Sequence, residues 1–303
     1  MIYDLVIIGA SAAGMSAGIY AARAGINFVI ISKDKGGNVA NAGIVENYLG
    51  TISKLGLELS KKFEAHLAEY DPKIISGEAK RLTKENDIFI VDIGKEKIES
   101  KAVIVSTGTN HRKLNIPSEK MFENKGVSYC ETCDGSIFKN KIVAVIGGGN
   151  SAIKAALSLA NIASKVFVIN IEDKFKAEKI YLNKIEKNSN VELIYKAKTE
   201  KFEGNDFLEK LIYEDMNDGE RKTLKTDGAF IYVGLIPNTR FIDENFEALN
   251  NKKEIVIDKF GYTRINGLFA AGDVTDFPYR QISIAAGAGA TALLSVIEYL
   301  ERN

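Results

Sequence analysis

"KIVAVIGGGNSAIKAALSLANIASKVFVIN", Lys141 to Asn170, reads as strand, glycine-rich turn, helix and second strand. The apolar run Ile142 to Ile146 stops at Gly147, Gly148 and Gly149. Alanine and leucine then recur at helical spacing until a second apolar run, Val166 to Ile169. "YDLVIIGASAAGMSAGIYAARAGINFVIIS", Tyr3 to Ser32, repeats the plan, with an apolar run from Leu5 to Ile8, Gly9, an alanine-rich helix and a strand from Phe28 to Ile31. A strand before and a helix after are what give a glycine-rich string meaning. The fold class expected is α/β, with two Rossmann-like three-layer dinucleotide-binding domains, each holding its ligand at the carboxyl edge of its sheet.

The two turns differ in detail. In "GASAAG" the glycines are Gly9 and Gly14, and Ser11 stands where the middle glycine usually lies. That position lets the backbone approach a pyrophosphate, so a serine restricts the approach without blocking it. In "GGGNSA" all three of Gly147, Gly148 and Gly149 are present, and Ala152 takes the third motif position. Both turns open a helix whose first N–H groups can hold phosphate. A tight connection with no ligand is the competing reading of either turn, and it weakens when both occur in one chain.

Composition bounds the function. The 303 residues suffice for two domains, and 46% hydrophobic with 26% charged residues suits a soluble globular protein. The 40 basic and 40 acidic residues cancel, which argues against nucleic acid or a membrane as main partner. No run of about 18 apolar residues is seen, which argues against a transmembrane helix, and "MIYDLVIIG" enters a strand directly, so the expectation is a cytoplasmic protein without a secretory leader. The two cysteines, Cys130 and Cys133, lie in "YCETCDG". They cannot form a disulfide framework for a chain this long, and neither His66 nor His111 has zinc-ligand spacing, so no metal is expected. A lone C-x-x-C in a cytosolic chain points to redox chemistry.

Further along, Val191 to Val233 alternates in strand fashion around the hairpin signal Asn217-Asp218-Gly219. "GLFAAGDVTDFPYRQISIAAGAGATALLSVIEYLER" reads as a strand, a Gly-Asp turn and a long helix.

These motifs together resemble the low-molecular-weight thioredoxin reductases along nearly the whole chain. The resemblance is carried by "GASAAG", "KGGNVANAGIVENYLG" (Lys35 to Gly50), "STGTNHRKLNIPSE" (Ser106 to Glu119) and "GVSYCETCDG" (Gly126 to Gly135). It continues in "VIGGGNSA" (Val145 to Ala152), "IYVGLIPNT" (Ile231 to Thr239), "FAAGDV" (Phe269 to Val274) and "YRQISIAAG" (Tyr279 to Gly287). It implies an FAD domain in two parts, residues 1–113 and 241–303, with a nicotinamide-domain-like insert, 114–240, carrying the cysteines. Gly9, Ser11, Ala12, Gly14, Gly37, Asn38, Asn47, Thr107, Gly108, Gly272, Asp273, Arg280, Gln281 and Ile282 would bind the FAD. Cys133 would face the flavin, Cys130 would attack the disulfide of thioredoxin, and Asp134 would serve as general acid and base. Glu131 and Thr132 read as spacers. A homodimer is implied.

One stretch departs from that resemblance. NADPH-using members end the second strand of the insert in H-R-R-x-x-x-R, whose arginines hold the 2′-phosphate. The corresponding residues here are Asn170, Ile171, Glu172 and Lys176, and Lys154 and Ala155 replace a usual acid pair. This disfavours NADPH and makes the chain most like the ferredoxin-dependent flavin thioredoxin reductases. Three alternatives stay open: NADH bound through Glu172, which lies 25 residues past Gly147, NADPH after all, or a flavin dithiol oxidase that uses oxygen. Plain solvation of Glu172 in a charged loop competes with its NADH role.

Overall fold

The computed structural model describes residues 1–42, 44–52 and 54–302, without the side chains of Ile44 and Cys133. Its principal elements run in chain order β1 (Ile2–Ala10), α1 (Ala12–Arg23), β2 (Phe28–Lys35), α2 (Gly56–Ala68), β3 (Ile74–Ser76), β4 (Arg81–Glu85), β5 (Ile88–Asp92) and β6 (Lys97–Val105). Then come β7 (Val127–Ser128), α3 (Glu131–Asp134), β8 (Ile142–Ile146), α4 (Asn150–Ala160), β9 (Lys165–Ile169) and β10 (Val191–Ile194). β11 (Ala197–Gly204), β12 (Leu208–Asp215), β13 (Arg221–Lys225), β14 (Gly228–Ile231), β15 (Leu268–Ala270) and α5 (Ile282–Arg302) complete the list.

The chain forms two units, Met1–Asn110 with Ile236–Asn303, and His111–Leu235. The second is thus inserted into the first. The changeovers fall at 110/111 and 235/236, where the sequence reading places them at 113/114 and 240/241.

In the first unit the strand order is β3-β2-β1-β6-β5-β4, with β15 added beside β6. β1 lies parallel to both β2 and β6. Side chains alternate across it, as the two-residue repeat of a strand requires. Leu5 and Ile7 join Ala13, Ala17, Leu293 and Val296 on the helical face. Val6 and Ile8 join Leu82, Phe89, Ile242 and Phe246 on the other. Both faces are covered, which is why the strand reads as a continuous apolar run rather than an alternating one.

The second unit is built the same way. Its parallel sheet has the order β7-β14-β8-β9-β10. Val143 and Val145 pack under α4 with Ile153, Ala156 and Phe230. Ala144 and Ile146 face Phe202, Leu208 and Leu211 of the antiparallel meander β11-β12-β13. Helices, sheet and meander make three layers. The Asn217-Asp218-Gly219 turn joins β12 to β13 as expected.

α5 is long and apolar enough, by length and composition, to cross a membrane. Glycine, serine and threonine are scattered through it, so a search for an uninterrupted apolar run passes over it. Ala292, Leu293, Val296 and Tyr299 of α5 are buried in the core they share with α1 and β1.

Candidate functional site

Cys130 is disulfide-bonded, and it precedes a single helical turn, α3, instead of lying in an open loop. Cys133 lies on α3, and its side chain is outside the described residues. Asp134 closes the turn, its N–H donating to the Cys130 carbonyl at 3.1 Å. Ser128 fastens both ends. Its hydroxyl donates to Asp134 Oδ2 at 2.6 Å and accepts the Cys130 N–H at 3.0 Å. A second clamp comes from Tyr232, just past β14. The phenol accepts the Glu131 N–H at 3.1 Å and donates to the same residue's carboxylate. Burial, reinforced by the Glu131 carboxylate, pushes the Tyr232 phenol far above its ordinary range, so it stays protonated and donating. His111 stands edge-on to Tyr232 at 6.0 Å, and burial lowers its pKa against the opposing pull of Glu131. Behind it the buried Glu119 accepts from the Tyr129 hydroxyl and from the N–H groups of Leu114 and Asn115.

The second glycine-rich turn is engaged by its own chain. A Cβ on Gly148 would overlap the side chain of Asn170, which is buried at the end of β9. Asn170 Nδ2 donates to the Lys174 carbonyl at 2.8 Å, and the Lys176 N–H donates to the Gly148 carbonyl at 2.7 Å. Asn150, opening α4, exchanges two hydrogen bonds with Glu178, at 2.7 and 2.8 Å. Lys176 Nζ lies 2.5 Å from Glu172 Oε1, so Glu172 is paired rather than simply solvated. Ile171 is exposed, and Lys154 lies over the Tyr181 ring at 4.7 Å.

The first unit gathers the remaining candidates. Gly9 has φ +114°, and a Cβ there would run into the Ser106 carbonyl, so the turn needs glycine. Ser11 precedes α1 without a capping bond to it, and its hydroxyl donates to the Gly36 carbonyl at 2.5 Å. Ala12 and Gly14 lie in the first turn of α1, and Gly37 sits beside Ser11. Asn38 Nδ2 donates to Thr109 Oγ1 at 3.1 Å. Thr107 Oγ1 donates to the Asn238 carbonyl at 2.7 Å, and Gly108 next to it faces open space. Asn47 Nδ2 donates to Gln281 Oε1 at 2.9 Å, just before Ile282 opens α5. Gly272 and Asp273 follow β15, and burial raises the Asp273 carboxyl, with the Arg280 cation opposing. Arg280 Nη2 lies 2.5 Å from Glu254 Oε1, while its Nε is buried with no hydrogen-bond partner among the described residues.

The family profile of the pyridine nucleotide-disulphide oxidoreductases matches residues 3–292. The chain belongs to that family. It is 40% identical over 303 residues to "NADH dehydrogenase" of Bacillus subtilis and 41% identical to an alkyl hydroperoxide reductase component of Staphylococcus aureus. Each alignment takes in 99% of this chain but only 59% and 60% of those proteins, so the chain spans about three fifths of their length. Among solved structures it is similar to the thioredoxin reductase of Lactococcus lactis, with TM-score 0.95, 33% identity and coverage of 99% and 100% of the two chains. The T. acidophilum thioredoxin reductase gives 0.91, 40% identity and coverage of 99% and 98%. A ferredoxin-flavin thioredoxin reductase from Clostridium acetobutylicum gives 0.54 at 28% identity, with 99% of both chains covered.

The thioredoxin reductases of this oxidoreductase family are FAD proteins, and FAD is the cofactor of this chain. The residues present fit it. The first-turn N–H groups of α1 lack a side-chain cap and suit a pyrophosphate. The orphaned Arg280 Nε and the space over Gly108 are further room for a polar ligand. Around the cysteine-bearing turn, sequence reasoning missed Ser128, Tyr232, His111 and Glu119, and it took Glu131 for a spacer. Tyr232 lies 101 positions from Glu131, and only the fold brings them together.

Proposed function

We propose that the chain is a thioredoxin-disulfide reductase in which electrons pass from FAD to a Cys130–Cys133 disulfide and on to the disulfide of thioredoxin or of a thioredoxin-like protein. The observation that carries this is the disulfide-bonded Cys130 on a turn whose Asp134 is fixed by Ser128 at 2.6 Å. Bound FAD supplies two-electron redox chemistry. The chain's own part begins with cleavage of its disulfide by two electrons. Asp134 relays a proton to one sulfur, leaving a Cys130 thiolate. That thiolate attacks the substrate disulfide, forming a mixed disulfide and expelling one substrate thiolate. Cys133 then gives its proton back through Asp134 and displaces the second substrate sulfur, which restores the starting disulfide and leaves the substrate as a dithiol. The FAD is assigned to Gly9, Ser11, Ala12, Gly14, Gly37, Asn38, Asn47, Thr107, Gly108, Gly272, Asp273, Arg280, Gln281 and Ile282.

The donor we infer is ferredoxin rather than NADPH. Supporting this, Asn170, Ile171 and Glu172 stand at three of the four motif positions, and Lys176 at the fourth forms a surface pair with Glu172. Similarity to the ferredoxin-flavin enzyme points the same way. A second reading is NADH. It is favoured by the Glu172 carboxylate at the strand end and by the relative named "NADH dehydrogenase". We also infer a homodimer in the cytoplasm. Leu49 and Ile52 are almost wholly exposed at 96% and 94%, and Leu57 is half-exposed, a surface that a second copy would cover.

The test of the reductase reading is Cys130→Ser in the FAD-loaded protein. Thioredoxin reduction is expected to stop while flavin reduction continues. Retained turnover would overturn the assignment of Cys130 as the interchange thiol.

A further inference from the structure

Glu131 occupies the first position between the two cysteines, and its carboxylate is not left to solvent. Tyr232 holds that carboxylate by its O–H and the adjacent backbone by accepting the Glu131 N–H at 3.1 Å. Tyr232 is itself anchored to the sheet, its N–H donating to the Ile146 carbonyl at 2.7 Å. Its own carbonyl lies against Gly147, where a Cβ would collide with it. A negative charge is therefore fixed on the residue next to Cys130 by a side chain rooted in the core of the unit. A disulfide carries no charge to feel this field, whereas a thiolate does. A fixed like charge disfavours the thiolate, and so the reduced form of the pair.

We propose that Glu131 is a positioning residue of the redox pair, held beside Cys130 by Tyr232 so that its charge makes the dithiol a stronger reductant. This rests on the reading that Cys130 and Cys133 are the redox couple. The other groups facing the turn are Asp134 on α3, bonded to Ser128, and His111, edge-on to Tyr232. Beyond them stand Tyr129 with Glu119, and Lys113, which lies over the Tyr129 ring and pairs with Glu123 at 3.0 Å. Replacing Glu131 by Gln removes one charge, keeps an oxygen for Tyr232 and leaves all of these in place. His111, whose pKa burial lowers, is neutral at pH 9, so it adds no charge where the shift is read.

The effect has a pH signature that a structural role lacks. If a neighbouring charge is worth about tenfold in the thiol's acid constant, it acts on the equilibrium only where the thiol ionises, that is, near and above its ordinary value of about 8.5. The experiment equilibrates FAD-loaded parent, Glu131→Gln, Glu131→Asp and Tyr232→Phe proteins with oxidised and reduced dithiothreitol at pH 6 and pH 9. Thiols are then trapped by alkylation and counted by mass spectrometry. For Glu131→Gln, the constant favouring dithiol is expected to stay within about 1.5-fold of the parent at pH 6 and to rise about fivefold to tenfold at pH 9, where tenfold is about 30 mV. Glu131→Asp keeps the charge and is expected to match the parent. Tyr232→Phe frees the carboxylate and is expected to shift the same way by about twofold to threefold at pH 9. Equal constants at both pH values, or a shift of the same size at pH 6 and pH 9, would overturn the proposal. A parent with no reversible dithiol would overturn the functional reading as well. A reversible parent with an unresponsive Glu131→Gln variant overturns this inference alone.

Discussion

Restoring the missing arginines, Ile171→Arg with Glu172→Arg, is expected to give the protein an NADPH site. Ile171 is 53% exposed and the Glu172 side chain 44% exposed, so both positions can take a long cation without disturbing the core. Each charge-assisted contact to phosphate is worth ~1.5–3 kcal/mol, hence ~3–6 kcal/mol for two. The exposure of both positions calls for a discount of about half, leaving ~1.5–3 kcal/mol, or about 10-fold to 150-fold in affinity. Removing Glu172 also releases Lys176 from its 2.5 Å pair, which costs little because both side chains are largely in solvent. The assay is anaerobic titration of the FAD-loaded variant with NADPH, following flavin absorbance. An affinity equal to the parent's would refute the reasoning. It would place the barrier to NADPH elsewhere, for example in the bonds from Asn170 and Lys176 that already engage the glycine turn.

Gly9→Ala forces a side chain into positive φ and against the Ser106 carbonyl, and is expected to cost at least ~2 kcal/mol and to lower the FAD content of purified protein. Full FAD occupancy with unchanged melting would contradict that. Phe230→Ala empties a fully buried position beside Phe138, whose ring lies edge-on at 5.3 Å, and is expected to destabilise the inserted unit by ~3–5 kcal/mol in urea unfolding. His111 has its folded pKa lowered by burial, so between that value and about 6.5 the unfolded chain binds more protons. Stability is then present above about 6.5 and lost as pH falls through the lowered folded value. His111→Phe is expected to flatten this acid loss, and unfolding midpoints at several pH values check it.

Both dinucleotide units are legible in the sequence because they are written locally. Leu5 to Ile8 and Val143 to Ile146 are buried on two faces, and a glycine turn with a helix follows each. The same holds for the cysteine pair and for the altered strand end at Asn170 to Lys176. What sequence cannot yield is the set of contacts closed by the fold. Tyr232 reaches Glu131 across 101 positions and Gln281 reaches Asn47 across 234, and no local pattern marks either. The single helical turn at Glu131–Asp134 is also hidden, since Ser128 and Tyr232 hold it from outside. α5 escapes a search for apolar spans because small polar residues interrupt it, although its average composition qualifies.

The altered strand end at Asn170 to Lys176 bears directly on where the electrons come from. The most direct test mixes the oxidised, FAD-loaded protein anaerobically with NADPH, NADH and reduced ferredoxin in turn and follows flavin bleaching. Rapid bleaching by ferredoxin, with NADPH ineffective at micromolar concentrations, is the result expected. Fast bleaching by micromolar NADPH would contradict the reading of Asn170, Ile171, Glu172 and Lys176, and bleaching by NADH alone would move the donor to the Glu172 alternative.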